Sequence, residues 1–315
     1  MSVAPSPADL TPVPNTASEH ASSSPFFARF ERSGLAWMMA ANVLFAIMTL
    51  AARSASRTAS FATVGATRAF VGGLVALLVG LRTGRSLRVR TRGLSWARSL
   101  LGTGSMIATF YALAQIDLPV GDAVTLFATA PILIALLAPV VLGERTDRRL
   151  WGALLVAFGG VALIAGPHFS GGSKGALSAL VAAGFSALAM LFLRRMRGGK
   201  SPESAEAIAL HFAIVAFLVL SALNLVWFSM PTPRDMGLLV IAGVAGGSAQ
   251  LAMTRAYALT EAARLGAVSY LGTVFSFVGS ILLLGERPVW SQIAGAGLVI
   301  GAGIALALGS RRASS

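Results

Sequence analysis

The sequence predicts an all-α polytopic membrane protein with ten transmembrane helices, arranged as two inverted five-helix repeats. Three observations lead to this fold class: the composition, a series of apolar stretches, and two short strings that each occur twice. Of the 315 residues, 56% are hydrophobic and only 12% are charged, and the mean hydropathy is +0.77. Soluble domains average about 25% charged residues. Most of the outer surface must therefore be apolar and face lipid.

Apolar stretches account for most of the chain, and a helix needs roughly 20 apolar residues to cross a bilayer. Ten stretches reach or approach that length: Gly34–Ala52, Phe61–Leu81, Ser99–Ile116, Val120–Leu142, Leu150–Gly166, Gly175–Leu193, Ala207–Phe228, Met236–Ala256, Leu265–Leu284 and Val289–Leu308. The connections between them are short and carry Pro and Gly, which leaves no room for a soluble domain.

The positive charges indicate the orientation of the chain. The formal charge of +13 is spread in short clusters between the apolar stretches, a pattern typical of cytoplasmic loops rather than of a nucleic-acid surface. With the N-terminus inside, few positive residues fall outside: Arg53, Arg57, Lys174, Arg234 and Arg287. We therefore expect both termini to be cytoplasmic. Residues 1–33, rich in Ser, Ala and Pro, are expected to form a disordered tail, and residues 309–315 a second, short tail.

Two strings divide the chain into halves. VVLGER (Val140–Arg145) recurs as LLLGER (Leu282–Arg287), and Tyr111-Ala112-Leu113 recurs as Tyr257-Ala258-Leu259. Each half, 34–166 and 175–308, then holds five spans. Because five is odd, the second half must enter the membrane from the opposite side. Inverted repeats of this kind are typical of secondary transporters, with the substrate site between the halves.

A set of short motifs, in this order, resembles the EamA branch of the drug/metabolite transporter superfamily. The motifs are Phe110–Leu113 (FYAL), Asp117–Ala123 (DLPVGDA), Ala130-Pro131, Leu142–Arg145 (LGER) and Leu284–Pro288 (LGERP). The resemblance covers Gly34 to Leu308. It implies a central cavity lined by spans one to four and six to nine, and the transport of small metabolites, often amino acids or related compounds and frequently outward, across a bacterial cytoplasmic (inner) membrane. It implies no cofactor. Where span four has Pro131, span nine has Thr273, so gating by paired prolines is not expected.

Arg68 is the sharpest candidate for a substrate-binding residue. It lies about seven residues into the second predicted span, roughly 10 Å from the outer end of that span. A charge at this depth is costly in lipid, so the side chain should face the bundle interior or water. It either binds a carboxylate or phosphate of the substrate, or it snorkels to the surface or bonds helix carbonyls.

Two further cations accompany Arg68. His211 aligns with Arg68 when the halves are superposed, and either binds substrate or a proton or is a neutral histidine bonded within the bundle. Arg255 lies near the inner end of span eight, where it could face the cavity or snorkel. Together the three would suit an anionic or carboxylate-bearing substrate. Other side chains that could line a pocket or bridge helices are Trp37, Asn42, Tyr111, Gln115, Thr125, Thr129, Gln250, Tyr270 and Thr273.

Other function classes find little support. The carboxylates lie at span ends or in loops, and Glu144 and Glu286 are expected to cap helix ends and pair with the neighbouring Arg. A membrane enzyme would need a nucleophile with its base or a metal cluster, and the chain has no Cys and three His. The third alternative is a channel, or a scaffold without transport activity, and a channel would need a repeated filter or a charged ring. We therefore expect a transporter whose partners are a small metabolite and the bilayer, with no metal, no nucleic acid and, through Gly297-x-x-x-Gly301, a possible homodimer.

Overall fold

The computed structural model describes residues 33–56, 58–114, 118, 120–167, 173–198, 202–285 and 287–312. The regular elements in these segments are twelve helices: α1 Gly34–Ala55, α2 Phe61–Arg82, α3 Arg92–Ala114, α4 Val120–Phe127, α5 Ala130–Leu142, α6 Arg148–Ala165, α7 Ser173–Arg197, α8 Ala205–Asn224, α9 Pro233–Leu259, α10 Ala262–Ser269, α11 Leu271–Leu284 and α12 Trp290–Arg312. Residues 1–32 of the predicted N-terminal tail (residues 1–33), Gln115 and Glu286 lie outside the described residues.

Eight segments are long and apolar enough to cross a membrane: Gly34–Ala55, Phe61–Arg82, Asp122–Leu142, Arg148–Ala165, Lys174–Arg197, Ala205–Asn224, Pro233–Leu259 and Ala262–Leu283. Trp290–Leu306 is a shorter apolar helix. The chain is therefore an integral membrane protein whose described segments are helical, while the count of ten spans stays a prediction. The region expected to form the third span, α3, is absent from the eight because its first half carries Arg92, Arg98 and several serines.

The start of α3 differs from the prediction. The third span was expected from Ser99, with Arg98 in the preceding loop, but the helix begins at Arg92. Arg98 therefore lies two turns into a helix and is buried, with 1% of its surface exposed. A hydropathy pattern ends the span where charges begin, whereas the helix continues because Arg98 packs against an aromatic ring of α8.

The fourth and ninth predicted spans are each broken into two helices. α4 and α5 are separated at residues 128–129, and Pro131 stands in the first turn of α5, where its missing N–H leaves no hydrogen bond unmade. α10 and α11 are separated at Tyr270, without a proline. The Tyr270 hydroxyl donates to the Ala128 carbonyl oxygen at 2.6 Å, so the two breaks lie against each other.

Glycines in the repeated strings end two of the helices. Gly143 closes α5 with φ 72° and Gly285 closes α11 with φ 69°, both in the left-handed region that glycine adopts without a steric penalty. The string LGER thus has a structural meaning in both halves. Its glycine stops an apolar helix, and its glutamate comes directly after the stop.

Four helix pairs make the most extensive contacts: α1 with α9, α3 with α7, α2 with α8, and α6 with α12. Glycines allow two close approaches. A Cβ on Gly247 of α9 would lie 2.7 Å from the Cα of Gly72 in α2, and one on Gly160 of α6 would lie 2.6 Å from the Gly295 carbonyl oxygen in α12. Small residues of this kind let membrane helices pack backbone to backbone.

The Gly297-x-x-x-Gly301 motif of α12 does not take part in this packing. Gly297 and Gly301 are exposed, and a Cβ added at either would meet no atom within 4 Å. The use of this face in a homodimer stays a prediction.

Candidate functional site

A cavity of about 30 Å³ lies between α2, α3, α8 and α9. Small residues form most of its wall. The larger side chains that line it are Arg68, Met106, Phe212 and Gln250, and the small ones are Gly65, Ala69, Gly72, Ala209, Ala213, Ala216, Gly246 and Gly247. On α2, α8 and α9 the lining residues recur every three or four positions, so each of these helices presents one face. The cavity is a mostly apolar space with a few polar groups, as small-molecule sites usually are.

Arg68 supplies the charge of this cavity. Its Nη1 donates to the Met106 sulfur at 3.4 Å, and thioether sulfur is a weak acceptor. None of the ion pairs found among the described residues involves Arg68. Its Nε lies 3.4 Å from where a Cβ on Gly246 would be, so that glycine makes room for the guanidinium. Most of its N–H donors are therefore available to a ligand.

Gln250 lies on the same cavity as Arg68. It is 8% exposed, and its Nε2 has no hydrogen-bond partner within the described part of the chain. A buried amide nitrogen without a partner is costly. The cavity thus brings together two of the predicted site residues, both as hydrogen-bond donors.

Arg255 and Trp37 lie together at another place. The Arg255 Nη2 donates to the Glu206 carboxylate at 3.1 Å, and the Arg255 guanidinium carbon is 5.0 Å from the centre of the Trp37 ring. Neither residue is part of the cavity lining. The charge of Arg255 is thereby balanced by an acid that is itself buried.

His211 lies beside the cavity rather than on it. Its Nδ1 is 2.9 Å from the Ser99 hydroxyl oxygen, and its ring meets the Trp96 ring edge-on with the centroids 5.0 Å apart. The next residue, Phe212, does line the cavity. A helix turns about 100° per residue, so neighbouring residues of α8 face different partners.

The remaining predicted residues bridge helices, lie within the break between α4 and α5, are buried, or face outward. The Asn42 amide donates to the Val268 carbonyl oxygen at 2.9 Å, which joins α1 to α10, and Tyr270 joins the two helix breaks. Thr129 donates to the Leu126 carbonyl oxygen at 2.7 Å, and Thr125 is buried. Tyr111 has 51% of its surface exposed.

Sequence reasoning missed three side chains at the cavity. Met106 contacts Arg68, Phe212 forms part of the wall, and Arg98 lies behind Phe212, with its guanidinium carbon 4.1 Å from the centre of that ring. For the two side chains on α3, the sequence did carry a signal. Arg98, Gly102 and Met106 follow each other at intervals of four residues, which places them on one face of that helix.

Glu144 joins four helices at one end of the molecule. Its Oε1 accepts from Arg194 Nε at 2.6 Å and its Oε2 from the Ala262 backbone N–H at 2.8 Å. Arg194 Nη1 also donates to the carbonyl oxygens of Tyr257 and Ala258, at 2.9 and 3.3 Å. The Glu144 carboxylate lies at the N-terminal end of α10, where the helix dipole is positive, and the Arg194 guanidinium lies at the C-terminal end of α9, where it is negative. Both charges are therefore stabilised by the helix dipoles.

The expected partner of Glu144 was therefore wrong. The glutamate does cap a helix end, but it pairs with Arg194 of α7 and not with the adjacent Arg145. The glutamate of the first LGER string thus meets, through Arg194, the second copy of the Tyr-Ala-Leu string. Glu286, its counterpart in the second half, lies outside the described residues.

Comparison with known proteins places the chain in a family. The model of the EamA-like transporter family matches residues 32–166 and again residues 173–308. The pseudopaline exporter CntI of Pseudomonas aeruginosa is 31% identical over 279 residues, which are 87% of this chain and 96% of that protein. The riboflavin transporter of Rhizobium johnstonii is 27% identical over 282 residues, 86% of this chain and 89% of that protein.

The fold is also found in a solved crystal structure. That structure superposes with a TM-score of 0.77 at 22% sequence identity, and the match covers 90% of this chain and 99% of the other. The family resemblance noted from the motifs is thereby confirmed over both halves of the chain. The chain belongs to the EamA-like transporter family.

Proposed function

We propose that this protein is a secondary transporter that exports small carboxylate-bearing or amino-acid-like metabolites across a bacterial cytoplasmic membrane, with both termini in the cytoplasm. The observation that carries the proposal is the cavity itself. It lies between α2 and α3 of the first half and α8 and α9 of the second, and it holds an arginine whose described hydrogen-bond partner is a thioether. Arginine binds carboxylates with two parallel hydrogen bonds, and Gln250 offers a further donor.

Alternating access between two inverted five-helix halves is the proposed mechanism. In this view α4 with α5 forms span four, and α10 with α11 forms span nine. If each helix is replaced by its counterpart in the other half, the contact of α1 with α9 corresponds to the contact of α7 with α3. The contacts of α2 with α8 and of α6 with α12 each correspond to themselves. The family model likewise matches each half once. Both facts support a two-fold relation between the halves.

Polar contacts near the two ends of the helices that line the cavity are the proposed gates. At one end are the contacts of Glu144 and Arg194. At the other, Thr58 donates to the Asp235 carboxylate at 2.6 Å and Thr63 to the Asn224 side chain at 2.9 Å. Releasing one cluster at a time would expose Arg68 to one side of the membrane only.

Export is the proposed direction because the relative with 31% identity is named an exporter.

The substrate class can be tested on the purified protein, which should be screened by thermal shift against carboxylates and their neutral amides. A bound ligand raises the stability by RT ln(1 + [L]/Kd). Hits should then be tested for flux from proteoliposomes, with and without a pH gradient. Equal stabilisation and flux for an acid and its neutral amide would contradict the proposed substrate class.

The inverted topology predicts that residues 146–149 and 288–291 face opposite sides of the membrane. Single cysteines at Arg149 and Ser291, both exposed, can report this because the chain has no native cysteine. We expect a membrane-impermeant maleimide to label Arg149→Cys from the cytoplasmic side and Ser291→Cys from the other. Permeabilised membranes, in which both should react, are the control. Labelling of both positions from one side would exclude the inverted repeat.

A further inference from the structure

Arg98 is a buried cation that the proposed transport site does not use. It is 1% exposed, and its Nε and Nη1 have no hydrogen-bond partner among the residues that the structure describes. No ion pair found in the described segments involves it. A buried charge without an anion is costly, and membrane proteins keep such charges where they pair or serve a pathway.

Phe212 is the side chain that separates Arg98 from the cavity. The Arg98 guanidinium carbon lies 4.1 Å from the ring centre, and the same ring lines the cavity that holds Arg68. A cation over a phenylalanine face is attracted to it, but one ring offsets only part of the lost hydration. Two of the guanidinium nitrogens still lack acceptors among the described residues.

The face of α3 continues from one arginine to the other. Arg98, Gly102 and Met106 follow at intervals of four residues, which spans roughly 12 Å along the helix axis, and Met106 contacts Arg68. Gly102 makes room for the ring between them, because a Cβ there would lie 3.0 Å from Phe212 Cε2 and 3.7 Å from Arg98 Nη1. The Phe212 ring therefore contacts Arg98 and also lines the cavity that holds Arg68, and Gly102 leaves room for it on α3.

We propose that Arg98 is a second anion-binding position on the transport path, closed by Phe212. A carboxylate-bearing metabolite entering from the cytoplasmic end binds Arg98 first and passes to Arg68 when the Phe212 ring turns aside. This inference rests on the proposed function and extends the same site toward the start of α3. It makes Arg98 a binding residue and Phe212 the residue that controls passage between two cationic positions.

The test uses the full-length protein in liposomes, the arginine reagent phenylglyoxal, and mass spectrometry to read each arginine. Arg98 of the wild type should react slowly. Phe212→Ala should raise its labelling about tenfold or more, since modification tracks the open population. Millimolar succinate should suppress that labelling, and the neutral diamide succinamide should not. Phe212→Leu, which keeps an apolar side chain, serves if the alanine variant does not fold.

Phe217→Ala is the matched control. Phe217 lies on the same helix and packs on Phe70 with the ring centres 5.5 Å apart, outside the cavity lining. This variant should leave Arg98 as unreactive as in the wild type.

Each outcome of the labelling decides a separate point. Protection of Arg98 by succinate supports the inference. Protection of Arg68 but not of Arg98 overturns the second position and leaves the proposed function standing, whereas protection of neither arginine overturns both. Unchanged Arg98 labelling in the folded Phe212 variants would show that the ring does not close the path, which also overturns the inference.

Discussion

An Arg68→Ala protein is expected to insert and fold as the wild type does but to lose about ten- to a hundredfold of its transport of acidic or zwitterionic metabolites. Hydrogen bonds to a charged group contribute about 1.5–3 kcal/mol, and each 1.4 kcal/mol is about tenfold in affinity. Folding should be retained because no ion pair found among the described residues involves Arg68. Removing its side chain therefore leaves none of the described carboxylates without an ion-pair partner. Flux from proteoliposomes and the unfolding temperature of the purified protein measure the two effects.

Two variants sharpen this test. Arg68→Lys keeps the charge but has no planar fork, so it should also lose most of the transport if the substrate carboxylate is bound by two parallel hydrogen bonds. Arg82→Ala is the matched control, because Arg82 ends the same helix and is exposed. Unchanged flux in Arg68→Ala would exclude the binding role. A large loss of thermal stability would instead identify Arg68 as a structural residue.

A Glu144→Gln protein is expected to open at the end of the molecule proposed to be cytoplasmic, and to transport more slowly. The wild-type carboxylate binds both Arg194 and the first backbone N–H of α10, and the two ion-pair side chains are only 19% and 15% exposed. An ion pair this well shielded is screened little by solvent, and losing it should shift the balance of closed and open states by roughly tenfold or more.

The opening can be measured with a cysteine at Thr254. This residue is fully buried and lies one turn after Gln250 on α9, toward the C-terminal end of that helix. Thr254→Cys should react with a membrane-impermeant maleimide from the cytoplasmic side slowly in the wild type, and several-fold faster with Glu144→Gln.

Glu261→Gln is the control for this experiment. Its ion pair with Arg264 is local, and the two side chains are 45% and 38% exposed. Exposed pairs of this kind contribute about 0–1 kcal/mol, so the labelling should not change. Equal labelling of the Thr254→Cys protein with and without the Glu144→Gln substitution would argue against a gate at this place.

The sequence predicted the helix ends well where an apolar stretch meets a capping residue. α1 begins at Gly34 and α2 at Phe61 as predicted, and α5 ends at Leu142, because Ser33, Ser60 and Gly143 cap these ends. The prediction was wrong at the start of α3, and it did not foresee the breaks at residues 128–129 and at Tyr270. A hydropathy window averages over such breaks, and the contact between Tyr270 and Ala128 joins segments 142 residues apart.

The candidate site was predicted in part. Arg68 and Gln250 were singled out because a charge or an amide within an apolar span needs a polar partner or a water-filled space. Phe212 and Met106 gave no such signal. They are apolar residues in apolar helices, whose faces have similar compositions, so the sequence does not show which face lines a cavity. Arg98 was assigned to a loop because it stands among the arginines that precede the apolar stretch.

The sequence by itself determined the membrane class, the family and the depth of Arg68 in its helix. The membrane class and the depth of Arg68 follow from the transfer of each residue between water and lipid, which depends on the residue and its near neighbours in the chain. The family follows from the order of the short motifs along the chain. Only the tertiary structure decided the partners: Glu144 with Arg194, Arg98 with Phe212, and His211 with Ser99 rather than with the cavity. The reason is geometric. Each residue turns a helix by about 100°, so which side chains meet depends on how distant helices pack.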